Sequence, residues 1–312
     1  MNPFDKSDVY FKNHDLILIF IFDKMSEKWW NKENNDEIED ARILNNYKKR
    51  DLLDKKLFIF DQDGTIYLNY ILLDGAKDFI NILKKKKKKF VFITNNSSKK
   101  TDTYREKLTG ILNIKINLDQ IYNSTLATIE YLKNQKISKI YCMGTQEFIE
   151  EINKHGLICT EEDPQLIVVA FDTTLTYEKL KKTCFFIQNG LEYIATHPDK
   201  VCPTSDGFIP DTGSFISLIE SATGIKPKKV LGKPNPEIIS FLLEKYQIKP
   251  KECIVFGDRI YTDIKMGKKC GTTTALMLTG ESKIHDIEKF NIEPDLVFRS
   301  FNEVINLFNE KS

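Results

Sequence analysis

The sequence predicts an α/β protein built on parallel sheets covered on both faces. Three observations predict it. Short, continuous apolar runs recur along the chain from Leu57 onward. Helical stretches alternate with them, as crossover helices do when they cover both faces of a parallel sheet. Polar residues gather at the carboxyl ends of the runs, where ligands bind in such sheets. At 312 residues and 41% apolar composition, there is material for one large or two modest domains.

Residues 1–50 stand apart. They are polar, rich in Asn, Lys, Asp and Glu, and lack periodicity beyond the apolar run Leu16–Phe22. They are expected to form a poorly ordered or peripheral extension, with Lys28-Trp29-Trp30-Asn31-Lys32 as a docking candidate. The first strand is Leu57–Phe60, followed by Asp61-Gln62-Asp63-Gly64-Thr65. Phe90–Ile93 leads into Thr94-Asn95-Asn96, and Lys139–Met143 into Gly144. Leu166–Ala170 and Tyr193–Thr196 continue the series, as do Glu252–Phe256 before Gly257-Asp258 and Thr273–Leu278 before Thr279-Gly280. The lysine run Lys84–Lys89 is read as a helix end, where cations suit the dipole.

Charge is nearly balanced: 46 Lys+Arg against 45 Asp+Glu leaves +1. A dedicated nucleic-acid binder usually carries a basic excess, so no nucleic-acid partner is expected. The six cysteines, Cys142, Cys159, Cys184, Cys202, Cys253 and Cys270, include no Cys-x-x-Cys pair. Neither a zinc site nor a disulfide scaffold is expected, and free thiols suit a reducing cytosol. Leu16–Phe22 falls far short of the ~20 residues a spanning helix needs. Before it, Lys6 and Lys12 are outnumbered by Asp5, Asp8 and Asp15, a poor start for a signal peptide. A cytoplasmic protein with no membrane partner is the expectation.

Four motifs carry chemistry. Asp61 and Asp63 stand two residues apart after an apolar strand, and Gly64 lets the chain turn back. One carboxylate can attack phosphorus and form an aspartyl phosphate, while the other protonates the leaving oxygen and later deprotonates water. An Asp-x-Asp-Gly stretch is also an ordinary turn, but an EF-hand fails at Thr65 and Leu72. In Thr94-Asn95-Asn96-Ser97-Ser98, hydroxyl and backbone N–H groups can cradle a phosphoryl group. Lys233, set between Gly232 and Pro234, is a fixed cation able to offset charge on phosphoryl oxygens. Asp258, in Gly257-Asp258-Arg259-Ile260-Tyr261-Thr262-Asp263, can complete an oxygen-rich Mg²⁺ site with Asp61 and the Asp63 carbonyl.

In order and spacing, the set resembles the haloacid dehalogenase (HAD) superfamily. Within it, the chain resembles the branch that contains NagD-like proteins, p-nitrophenyl phosphatases and phosphoglycolate phosphatases. The likeness runs from about Leu57 to Phe308 and includes all four motifs. It implies a doubly wound core, residues 51–124 and 214–312, with a mobile α/β cap of the C2 type inserted at 125–213. It also implies a Mg²⁺-dependent phosphatase acting on small phosphorylated metabolites: p-nitrophenyl phosphate in vitro, and sugar phosphates, polyol phosphates or phosphoglycolate-like compounds. Asp61 would be the nucleophile and Asp63 the acid and base. Thr94, Asn95, Asn96 and Lys233 would hold the phosphoryl group. Asp61, Asp63 and Asp258 would bind the metal, backed by Asp263. A phosphomutase on the same core and a non-catalytic phosphometabolite binder are the alternatives. Cap contacts to the leaving group are expected from His197, Asp199 and Cys202. His197 stands where the family commonly has Asn. Cys202 falls where phosphoglycolate phosphatases place a substrate-contacting histidine. The cap would also be the route to a homodimer.

Overall fold

A computed structural model describes residues 52–68, 70–204 and 207–309. The extension 1–50, with its apolar run and its Trp29-Trp30 pair, lies outside the described residues.

Every run read as a strand forms one. The first three strands of the core sheet, β1 (Leu57–Asp61), β2 (Lys89–Thr94) and β3 (Ile121–Asn123), precede an inserted second sheet. That sheet holds β4 (Lys139–Met143), β5 (Ile158–Cys159), β6 (Leu166–Val169), β7 (Tyr193–Ala195) and β8 (Lys229–Val230). The chain then returns for β9 (Cys253–Gly257), β10 (Thr273–Met277) and β11 (Leu296–Phe298).

The core sheet is all parallel, in the order β11-β10-β9-β1-β2-β3. The chain runs outward from β1 through β2 and β3, then restarts beside β1 and runs outward the other way. The reversal between β1 and β9 is a topological switch point, where strand ends part and leave a crevice. All five residues of β1 are buried. Its Phe58 and Phe60 face helices α1 (Ala76–Lys85) and α2 (Thr101–Leu112), together with the last helix. Phe60 stacks on Phe256 of β9 with ring centroids 5.0 Å apart. Leu57 and Ile59 face the opposite layer. Each such buried side chain contributes roughly 1.5–3 kcal/mol, so β1 is anchored from both faces. The lysine run does end a helix: α1 stops at Lys85 with Lys84 and Lys85 in its last turn.

The inserted sheet is also parallel, ordered β8-β7-β6-β4-β5. Helices α3 (Ser124–Asn134) and α4 (Gln146–Lys154) cover one face. Helices α5 (Tyr177–Gln188) and α6 (Thr212–Thr223) cover the other. Two expectations change here. The cap extends past Gly213, because α6 packs Phe215 and Ile219 on this sheet and β8 pairs with β7. A two-residue strand carries too little periodicity to be read in sequence. Cys142 and Cys159 are joined, with Cα atoms 5.8 Å apart, rather than free. Parallel pairing sets Ile140 opposite Cys159, which puts Cys142 diagonally across from it. A separation of 17 residues does not reveal that neighbourhood.

The cap also grips the core through a helix end. The first N–H groups of a helix have no partner within it. At α2 the carboxylates of α4 supply partners: the Lys100 N–H donates to Glu147 Oε2 at 3.1 Å, and the Thr101 N–H to Glu151 Oε2 at 3.3 Å. Among the described residues, no helix is long and apolar enough to cross a membrane.

Candidate active site

Three neighbouring core strands deliver the site. β1 ends on Asp61, β2 ends on Thr94, and Asp258 follows β9. A pocket of about 380 Å³ opens over these ends, with Asp61, Asp63, Thr94, Asn95, Asn96 and Lys233 in its wall. The motifs, scattered over two hundred residues, therefore meet at the switch point.

Lys233 is 5% exposed. Its Nζ donates to Asp61 Oδ1 and, at 2.7 Å, to Asp263 Oδ1. Burial opposes its charge, but the Asp263 and Asp61 carboxylates outweigh that and hold its pKa above the ordinary lysine value. Burial pushes the Asp61 carboxyl up to about 7, against the lowering pull of Lys233. Burial, then the charges of Asp61 and Asp263, push Asp258 well above the ordinary carboxylate range.

Asp61, Asp258 and Asp263 each offer an oxygen, all within 4.8 Å of one another. Asp258 Oδ2 accepts the Glu281 N–H at 2.8 Å, while its Oδ1 is buried without a partner. An orphaned carboxylate oxygen is costly unless something pairs with it. Three buried carboxylates around one ammonium leave a charge deficit, and an all-oxygen donor set suits a hard divalent cation such as Mg²⁺. Two glycines make room for Asp258. A Cβ at Gly64, whose φ is +81°, would lie 2.4 Å from Asp258 Oδ2, and one at Gly280 would lie 2.0 Å away.

Asp63 sits at the pocket rim. The Tyr67 hydroxyl donates to its Oδ2 at 3.3 Å, and Lys107 Nζ stands 3.8 Å from Oδ1. Thr94 Oγ1 accepts the Asn96 N–H at 3.1 Å. Asn96 Oδ1 accepts from the Ser98 N–H at 2.9 Å and from the Tyr104 hydroxyl at 2.7 Å, which shapes the loop. The Asn95 side chain is committed to Lys233 and Asp199.

Of the cap residues, Asp199 and Cys202 line the pocket and His197 does not. His197 is fully buried beneath the loop. Its Nε2 lies 3.0 Å from Thr212 Oγ1 and 3.4 Å from Asp211 Oδ1, and its Nδ1 lies 3.8 Å from Asp199 Oδ2. The expectation of a direct substrate contact gives way to a place behind the pocket wall, because the β7 end turns its side chain inward. Burial pushes the Cys202 thiol up to about 12, so it meets the pocket as a neutral group. Sequence reasoning passed over Lys107, Arg259 and Asp211, which also line the pocket. Arg259 lay inside a quoted motif, whereas Lys107, on α2, carried no local signal.

A doubly wound core with an acid–lysine–acid cluster at its switch point, under an α/β cap, defines a HAD-type hydrolase. A haloacid dehalogenase-like hydrolase family model matches residues 58–158, and a HAD-hydrolase-like model matches residues 230–304. An acid sugar phosphatase of Staphylococcus aureus is 32% identical over 252 residues, covering 80% of this chain and 96% of its own. The crystal structure of a 4-nitrophenylphosphatase from Thermotoga maritima superposes with a TM-score of 0.80 at 39% identity, over 84% of this chain and all of the other. NagD from E. coli K-12 does so at 0.73 and 28%, over 82% of this chain and 98% of the other. The chain belongs to the haloacid dehalogenase superfamily, in its NagD-like branch, and is a phosphatase.

Proposed function

We propose that the protein is a Mg²⁺-dependent hydrolase of small-molecule phosphate monoesters that works through an aspartyl phosphate on Asp61. The observation that carries this reading is the buried cluster of Asp61, Lys233, Asp258 and Asp263 at the switch point, with Asp258 Oδ1 left unpaired. Asp61, Asp258 and the Asp63 carbonyl would hold the cation, with Asp263 behind. Bound there, Mg²⁺ supplies charge that offsets repulsion between the Asp61 carboxylate and an incoming phosphate.

Lys233 orients Asp61 and faces the phosphoryl oxygens with a permanent charge. Thr94 and the Asn95 N–H hold those oxygens. Asp61 attacks phosphorus and the ester bond breaks. Asp63, at the rim, gives its proton to the departing oxygen. It then takes a proton from water as that water cleaves the aspartyl phosphate. The cap loop at Asp199 and Cys202 faces the leaving group and shields it from bulk water.

The substrates on this reading are sugar or polyol phosphates, with p-nitrophenyl phosphate as the in vitro reporter. The names of the relatives support that choice: acid sugar phosphatase and 4-nitrophenylphosphatase. The reading also places the protein in the cytoplasm, as a homodimer through the cap, with neither nucleic acid nor membrane as partner. The Cys142–Cys159 bond weighs against that compartment, since such bonds persist mainly in oxidising surroundings. A phosphate-release screen over a metabolite panel, run with and without chelator, tests the activity and its metal need. Asp61→Asn should keep the fold and lose turnover by orders of magnitude, because the amide keeps the shape without the nucleophile. Retention of more than about a tenth of the activity would remove Asp61 from that role.

A further inference from the structure

We propose that Asn95 is a positioning residue that couples the cap's substrate loop to the Lys233 loop. The proposal deepens the phosphatase reading and rests on it for its kinetic test.

Asn95 is 5% exposed, and its carboxamide is fully engaged. Oδ1 accepts the Lys233 N–H at 2.7 Å. Nδ2 donates to the Lys233 carbonyl at 3.1 Å and to Asp199 Oδ2 at 3.0 Å. A primary amide offers two donor hydrogens and one acceptor oxygen, so no donor remains for a phosphoryl oxygen. One side chain thus grips the backbone N–H and the carbonyl of Lys233 and the carboxylate of a cap residue in the pocket wall.

The packing leaves this knot little room. A Cβ at Gly232, whose φ is +71°, would stand 2.8 Å from Asn95 Oδ1 and 2.7 Å from the His197 Cβ. The Asn95 carbonyl accepts from the Ser124 hydroxyl, at the start of the helix that leads into the cap. Two residues on, Ser97 Oγ lies 3.0 Å from Thr196 Oγ1 and accepts the Phe171 N–H at 2.9 Å, so the same loop also meets two cap strand ends. Asp199 is approached from the other side by Arg259 Nη1 at 4.0 Å. The loop that cradles the phosphoryl group, the loop that carries the catalytic lysine and the loop that faces the leaving group therefore share one amide. A shift of the cap loop moves Lys233 relative to Asp61, and alignment of that order governs rate.

The test is a double-mutant cycle on p-nitrophenyl phosphate and a sugar phosphate: wild type, Asn95→Asp, Asp199→Asn, and both together. Asn95→Asp keeps the acceptor for the Lys233 N–H, loses the donor to the Lys233 carbonyl and sets one carboxylate against another. We expect kcat to fall at least tenfold, with the melting temperature near that of the wild type. Asp199→Asn alone should be mild, since an amide oxygen can still accept from Asn95. In the double variant the new amide can donate across the gap, and the part of the kcat loss that comes from the Asp199 contact should return, while the part from the lost Lys233 carbonyl bond should not. If Asp199 is a substrate contact only, the two losses multiply and nothing is recovered. That result, or a kinetically silent Asn95→Asp, overturns the proposal. Should wild type lack turnover, the phosphatase reading fails separately, and the cycle is read by amide exchange in the hairpin whose antiparallel strands, Val201–Thr204 and Gly207–Pro210, follow Asp199. Faster exchange in Asn95→Asp that the second change reverses supports the coupling, and unchanged exchange refutes it. If Asn95→Asp does not fold, Asp199→Ala, which cuts only the cap end, must slow kcat and loosen the hairpin. A change in KM alone overturns the proposal.

Discussion

Asp61 shows how burial and charge together set the behaviour of one residue. With its carboxyl pushed up to about 7, the metal-free folded protein keeps a proton that the unfolded chain, near 3.8, gives up. The stability tied to that proton is fully present below 3.8 and is lost as pH rises through about 7. A bound cation favours the ionised form and reverses the trend. The rise in melting temperature on adding Mg²⁺ should therefore be larger at pH 8 than at pH 6. Scanning fluorimetry at both values decides it, and a larger shift at pH 6 contradicts the metal assignment. Cys202 gives a second prediction. A neutral thiol in the pocket wall offers neither a cation nor a strong hydrogen bond. The enzyme should use phosphoglycolate poorly against sugar phosphates, and Cys202→His should shift the kcat/KM ratio toward phosphoglycolate tenfold or more. A charge-assisted hydrogen bond is worth roughly 1.5–3 kcal/mol, which sets that scale.

At the scale of elements, the join between α2 and α4 matters most. The residue before α2, Lys100, gives its helix no side-chain cap. Glu151, 1% exposed, does so from across the structure, accepting from both the Thr101 N–H and, at 2.9 Å, its hydroxyl. Glu151→Ala strands two buried donors and should cost about 1–3 kcal/mol in urea unfolding. Because α2 also carries Lys107, which faces Asp63, the variant should slow turnover more than an equally destabilising change in α5. Equal effects from the two would mean that the join serves stability alone. α2 begins a few residues after the phosphate loop, so the cap braces the element that supports it.

At the scale of the whole molecule, the described residues contain every motif of the proposed mechanism. Removing residues 1–50 should therefore leave kcat and KM for p-nitrophenyl phosphate within about twofold, because that segment carries no motif and little apolar periodicity. A truncated protein that folds yet loses activity would give the extension a place in the site or in an active dimer. Local pattern made the strands legible because a buried parallel strand needs an unbroken apolar run. Leu57–Asp61 and Cys253–Gly257 satisfy that need. The insertion was visible only as the long stretch between Thr94 and Lys233, and its far boundary was misplaced because β8 is two residues long.

Alone, the sequence determined the fold class and marked the candidate residues of the core site. Asp61 and Thr94 end a strand, Asp258 follows one and Lys233 sits in a tight Gly-Lys-Pro turn, so short-range chemistry marks them. Tertiary structure decided the rest, because the deciding distances join residues far apart in the chain. Lys107 reaches Asp63 only across a folded helix, and Cys142 meets Cys159 only through strand register. His197 is drawn beneath the pocket by Thr212 and Asp211, and Asn95 is spent on Lys233, 138 residues away. A side chain's type states what it can bond; only packing decides which partners lie within reach.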